Sequence, residues 1–210
     1  MRTNWEIVTG CERLTQGCDS CPSFWHYKKH GMDYTLTEQM QNLNDPSNSL
    51  IPKVYAVALG SDIFHESVSV ESLKRIFAEM NKARHHSFEI LTKRIERAYC
   101  VSKELEWTPN IFMGVSVESG EYSWRVDYLR KIPAQFRFLS ISPILGAFSD
   151  IDLSDIDMVG VVEETWGLKR KAKQEWIMQI EKQCQKQGVG FRLNDRYLWG
   201  ANSCQEQRRQ

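Results

Sequence analysis

At 210 residues the chain is long enough to bury a substantial core as one domain without disulfide staples. Its 27 lysines and arginines equal its 27 aspartates and glutamates, so no net field draws it to nucleic acid or an anionic membrane, and only a local basic patch stays open. Apolar runs are strand-sized, far below the roughly 20 residues that span a bilayer. The amino terminus, Met1-Arg2-Thr3-Asn4-Trp5-Glu6, lacks a signal peptide's apolar core, so the expectation is a cytoplasmic protein with no membrane partner. In that reducing compartment, six cysteines argue for a metal or redox role for those that cluster.

In chain order, residues 5–8 read as a first short strand. A loop over 8–30 follows and carries Cys11, Cys18 and Cys21 in a C-x6-C-x2-C run. Residues 31–52 are polar and weakly patterned, and read as a surface loop or lid. Strands are predicted over 54–59, 88–92, 111–117, 136–141, 158–162 and 190–193, apolar on both sides as in a parallel sheet covered on two faces. Between them, residues 70–84 place Leu73, Ile76, Phe77 and Met80 on one helical face. Residues 95–105, 121–131 and 174–187 read the same way, the last stopping at Gly188. This alternation defines an α/β protein with mostly parallel strands. Right-handed crossovers curl it into a partial (βα)6-type TIM-like barrel, too short for the closed eight-fold form of about 250 residues. A doubly wound sheet is the alternative. One domain is expected over 1–200, with a flexible tail over 201–210.

Ligands of such sheets bind at the carboxyl ends of the strands. There the chain carries Ser61, Asp62 and His65, then Thr92-Lys93-Arg94, then Glu118, then Glu164. A carboxylate facing the mouth can hold an ammonium or ribose hydroxyls by charge-assisted hydrogen bonds; a rim charge in water is the plainer reading. Spacing leaves two readings of the cysteines open. A structural zinc site would need a fourth ligand, for which His26 or His30 is available. An iron–sulfur cube is usually held by four thiolates. Three leave one iron for a small chelator such as S-adenosylmethionine, with its amino and carboxylate groups.

Several stretches, taken together and in order, carry a resemblance: Val8-Thr9-Gly10-Cys11, Gly17-Cys18-Asp19-Ser20-Cys21, Ser61-Asp62-Ile63-Phe64-His65-Glu66, Leu91-Thr92-Lys93-Arg94 and Gly114-Val115-Ser116-Val117-Glu118. The chain resembles a phage- and prophage-associated family of radical-SAM-like proteins of uncharacterised function. It looks like a divergent member, with Pro22 where the family has an aromatic and Val162-Glu163-Glu164-Thr165 where it has a Gly-Gly-Glu-Ser turn. The resemblance implies a radical-SAM-like partial barrel and a [4Fe–4S] cluster on Cys11, Cys18 and Cys21. It also implies bound S-adenosylmethionine, for which Ser61, Asp62, His65, Glu118 and Glu164 are the candidate contacts. The expected activity is reductive cleavage of S-adenosylmethionine by an enzyme acting on an unidentified small-molecule or nucleotide substrate. An external electron donor is required, and nucleic acid is a further candidate partner; no catalytic residue is assigned. Two alternatives remain: a zinc-stabilised nucleic-acid-binding or adaptor protein on a degenerate enzyme scaffold, and an iron–sulfur enzyme using the cofactor in a non-radical transfer.

Overall fold

A computed structural model of the protein describes residues 1–194. The expected tail, the last residues of the expected domain and Cys204 lie outside the described residues. Seven strands form the main sheet: β1 (Arg2–Trp5), β4 (Val54–Val57), β5 (Ser87–Thr92), β6 (Ile111–Ser116), β7 (Phe136–Ile141), β8 (Met158–Val161) and β9 (Gly190–Leu193). A second, two-stranded antiparallel sheet pairs β2 (Val8–Thr9) with β3 (Thr37–Glu38). The helices are α1 (Pro22–Lys29), α2 (Val70–Lys82), α3 (Ile95–Ser102), α4 (Arg125–Leu129) and α5 (Gln174–Gln187).

The order of the main sheet is β1-β4-β5-β6-β7-β8-β9, every neighbouring pair parallel. Strand order follows chain order without reversal, so the sheet is singly wound and the doubly wound alternative is excluded. Right-handed crossovers between successive strands carry the helices to one face. On that face Tyr55, Val57, Phe88, Ile90, Met113 and Val115 share one buried core with Leu73, Ile76, Phe77 and Met80 of α2. The opposite face is different: there Phe112, Phe138 and Met158 form a small separate cluster, and Ala56, Glu89 and Ser116 face a cavity. Among the described residues β1 and β9 are each paired on one side only, and no closed barrel forms.

Local chemistry sets the element ends. The Ser69 hydroxyl caps α2 by accepting from the Ser72 amide, as cap preference dictates. Gly188, at φ 69°, ends α5 in the left-handed conformation glycine tolerates. Strand 54–59 stops at Val57, because Ala58 turns to φ 50° and the Ser61 amide closes back on the Ala58 carbonyl. Leu59 is thereby lifted into solvent.

Three expectations need correction. The first strand is Arg2–Trp5, not 5–8: the Ile7 amide turns back to the Trp5 carbonyl, and the chain then joins the second sheet at Val8. Residues 31–52 are no free lid. They supply β3, pack Leu36, Met40 and Leu43 on the core, and accept the Trp5 indole N–H at Asn42. The helix expected over 121–131 is a 3-10 turn at Gly120–Tyr122 followed by the short α4, its start held by the Gly120 amide on the Ala147 carbonyl. Among the described residues no helix is long and apolar enough to cross a membrane.

Phe77 is fully buried between α2 and the sheet, edge-on to Trp107 at 4.8 Å. Phe77→Ala should therefore lower unfolding free energy by about 3–5 kcal/mol in urea titrations.

Candidate functional site

The loop between β2 and α1 brings the three cysteines to the carboxyl edge of the sheet. Gly10 opens it at φ 75°, pressed so closely on the next segment that a β-carbon would lie 2.3 Å from the Thr35 carbonyl oxygen. The Cys11 amide then donates to the Tyr34 carbonyl at 3.1 Å. Cys18 sits in a 3-10 turn, its amide on the Thr15 carbonyl at 2.9 Å, and the Cys21 amide returns to the Cys18 carbonyl at 3.2 Å. Pro22 starts α1, where its missing N–H costs nothing. All three thiols are half-buried and line one cavity of about 470 Å³.

Two cations from the turn after β5 approach these sulfurs. Arg94 places Nη1 3.7 Å from the Cys11 sulfur and 3.4 Å from Asp62, while its Nε donates to Glu66 at 2.8 Å. Lys93 donates to Thr15 at 3.1 Å and contacts Glu118. Burial alone would raise the Cys18 thiol, but the Lys93 charge and hydrogen bonds from Leu14 and Thr15 bring it below its ordinary value. Cys11 moves the other way: burial and the Asp62 carboxylate raise it, outweighing Arg94. The Tyr34 hydroxyl donates to the Gly60 carbonyl at 2.9 Å and lies 3.9 Å from the Cys21 sulfur. Burial, then the Cys21 charge, drives its ionisation far upward, so it stays a neutral donor.

The carboxylates at the strand ends have distinct duties. Asp62 is buried and accepts from the Phe64 amide, the Thr92 hydroxyl, the Lys93 amide and Arg94. It lines the cavity, yet its oxygens are spent on fixing the turn that carries both cations. Glu118 does not line the cavity. It lies beneath the cysteine loop, where it accepts from Thr15 at 2.6 Å and Arg125 at 3.3 Å, and a β-carbon on Gly17 would sit 2.5 Å from its Oε1. Glu164 lines the cavity and holds Arg170, whose Nη2 also donates to the Gln16 carbonyl at 2.9 Å. Burial would raise the Glu164 carboxyl; the Arg170 hydrogen bonds more than offset this and hold it below the usual range. The Ser61 hydroxyl is turned to the Gly10 carbonyl. His65 is buried behind the turn and outside the cavity lining, with Nδ1 accepting from the Ser67 amide at 3.1 Å and Nε2 3.7 Å from Glu12. Burial and then Arg94 hold its pKa below the ordinary histidine value.

Sequence reading foresaw the cysteines and the strand-end positions, but it missed Tyr34, Thr15 and Arg170. Nothing in local spacing marks Tyr34, which arrives from the segment read as a lid. Arg170 stands in the basic run Lys169-Arg170-Lys171-Ala172-Lys173, a pattern that usually marks a solvated face. Deep in the same cavity lies another unforeseen group, Glu89 of β5, 3% exposed and paired through Oε2 with Arg2 Nε at 2.9 Å.

Fold and site together define a mixed α/β protein whose singly wound parallel sheet carries a three-cysteine loop over its carboxyl edge. The chain belongs to the family DUF5131, described as a protein of unknown function, whose model matches residues 1–210. No curated protein and no solved structure matches the chain.

Because Glu118 is a buried anion between Lys93 and Arg125, Glu118→Gln leaves those cations undercompensated. The variant should lose roughly 3–5 kcal/mol in urea unfolding, and its cysteines should react faster with a thiol reagent as the loop loosens. Burial raises Glu89 from 4.5 to about 7 despite Arg2. An acid with a raised folded pKa favours folding below its unfolded value and loses that contribution as pH rises through the folded one. Stability should thus fall between pH 4.5 and about 7, and Glu89→Gln should flatten that part of the urea-midpoint profile.

Proposed function

We propose that the chain is a radical S-adenosylmethionine enzyme on a partial barrel, with Cys11, Cys18 and Cys21 holding a [4Fe–4S] cluster. The observation that carries this reading is the cavity itself: three half-buried thiols on one lip, at the carboxyl edge of a singly wound parallel sheet, with Lys93 and Arg94 set against them. Its volume of about 470 Å³ is that of a cofactor or small-molecule site. The donor set fits a cube better than a single ion. Among the described residues no three His, Cys, Asp or Glu side chains gather where one ion could bind. A cube takes each thiolate on a different iron and so accepts sulfurs spread along a lip, whereas structural zinc needs four ligands at one centre. His26 and His30, the candidates to complete a zinc site, stack on each other at 4.5 Å and line a separate recess.

When bound, the cluster and S-adenosylmethionine supply one-electron cleavage of the sulfonium, chemistry that belongs to the cofactors. The chain's own residues hold and orient. The three thiolates are ligands; Lys93 and Arg94 offset their negative charge. Asp62 positions both cations, and Glu118 fastens the loop from below. Arg170, held by Glu164, pins the loop from the side at Gln16. Of the candidate cofactor contacts, Ser61, Asp62 and Glu164 face the cavity, whereas Glu118 and His65 act from behind it. The substrate is a small molecule or nucleotide, and the electron comes from an external donor.

Anaerobic reconstitution tests this. The protein should take up iron and sulfide, turn brown, and release 5′-deoxyadenosine from S-adenosylmethionine under a reductant; Cys18→Ala should abolish both colour and product. Stoichiometric zinc in anaerobically purified protein, or product surviving that substitution, would overturn the assignment. Transfer of a labelled cofactor fragment without deoxyadenosine would place the reaction in the non-radical class.

A further inference from the structure

The far end of the cavity is built unlike its mouth. Strand register puts Glu89 beside Ala56 on one side and Phe112 on the other, on the face that bears the cavity, with Leu91 one step nearer the mouth. A glutamate there is costly, since burial opposes its ionisation. Arg2 satisfies only Oε2. Oε1 is buried and has no hydrogen-bond partner among the described residues, and Glu89, Arg2, Leu91 and Phe138 all line the cavity that holds the cysteines. A buried acceptor left unmade costs about 1–3 kcal/mol, which a bound donor would recover.

The chemistry of that donor is constrained. A second cation on Oε1 would lie beside the Arg2 guanidinium and be repelled, and an anion would be repelled by Glu89 itself. A neutral N–H suffers neither penalty. Arg2 engages Glu89 through Nε, and among the described residues nothing else bonds its Nη groups, which can donate to a neighbouring carbonyl oxygen. Once Glu89 is ionised, above a pH of about 7, the pair therefore offers one acceptor and one donor side by side, the complement of an N–H next to a C=O. Leu91 supplies an apolar wall for a flat ring.

We propose that Arg2 and Glu89 form the substrate-recognition end of the cavity and bind a neutral planar heterocycle through a lactam edge, as oxygenated nucleobases carry. As a statement about substrate it rests on the enzymatic reading above; as a binding site it does not depend on the cluster. A pocket built to pair with N–H and C=O groups rejects analogues that lack them, because its buried polar atoms are then left unpaired.

The test is calorimetric titration of the 210-residue chain at a pH above the Glu89 value of about 7, with and without reconstituted cluster, using the N9-methyl derivatives of hypoxanthine and purine as probes; methylation removes the N9–H beside N3, so the two differ in the lactam edge alone. The hypoxanthine derivative should bind saturably and at least ~10-fold more tightly than the purine one. Glu89→Gln, which replaces one acceptor oxygen by an N–H2 donor, should erase the preference, and Arg2→Met should weaken the hypoxanthine derivative selectively. Equal binding of the two probes, binding of neither, or a preference untouched by both substitutions would overturn the proposal. The comparison of probes on the unaltered protein decides the matter even where a variant fails to fold. Lactam-selective binding by a chain that assembles no cluster would keep this site and remove the radical reading; a working cluster with no such selectivity would do the reverse.

Discussion

One buried carboxylate organises the site. Glu118, 1% exposed at the end of β6, is met by Lys93 from the turn after β5, by Arg125 from α4 and by the Thr15 hydroxyl from the cysteine loop. A charge so deep is tolerable only when its oxygens are paired, so those three segments must converge for the chain to fold. The loop that carries Cys18 is thus fixed by the same interaction that brings Lys93 towards its sulfur. Placement of the thiol and adjustment of its charge are one structural event.

A second carboxylate repeats this logic two strands earlier, after β4. Asp62 gathers Thr92, the Lys93 amide and Arg94, and Arg94 in turn reaches Cys11. Two anions, one after β4 and one after β6, therefore hold the two cations of the turn after β5 between them, and those cations face sulfurs. The arrangement makes the mouth receptive to negative charge, such as an ionised thiol carries. The cavity's far end works through a different balance, in which Arg2 partly compensates Glu89 and leaves one oxygen unmade.

The sheet explains why mouth and far end belong to one cavity. Because strand order never reverses, all crossovers lie on one face. Among the described residues α2, α3, α4 and α5 all contribute to the core on that face, and the other face is lined by small or polar residues at Ala56, Ser116 and Ser140, with Glu89 and Leu91 and a cluster of bulk at Phe112, Phe136, Phe138 and Met158. The helix-bearing face takes up most of the apolar area, so the chain can afford a polar interior opposite. Residues 31–52, polar enough to read as a lid, instead brace the cysteine loop through β3 and Tyr34. Their hydrogen bonds join partners far apart in sequence, which no local pattern records.

Sequence by itself determined the parallel α/β class, the helix faces led by Leu73, Ile76, Phe77 and Met80, the helix stop at Gly188, and the strand ends that carry Asp62, Glu118 and Glu164. Each of these follows from periodicity or from the intrinsic preferences of single residues, which are local properties of the chain. Only the tertiary structure decided that Glu118 lies under the cysteine loop rather than in the cavity, that Arg94 meets Cys11, and that Glu89 lies buried beside Arg2. Those outcomes depend on strand register and on charges meeting across long stretches of chain. A carboxylate's letter in the sequence is the same whether it faces water, a cation or an empty pocket; burial and partner set its chemistry, and both exist only after folding.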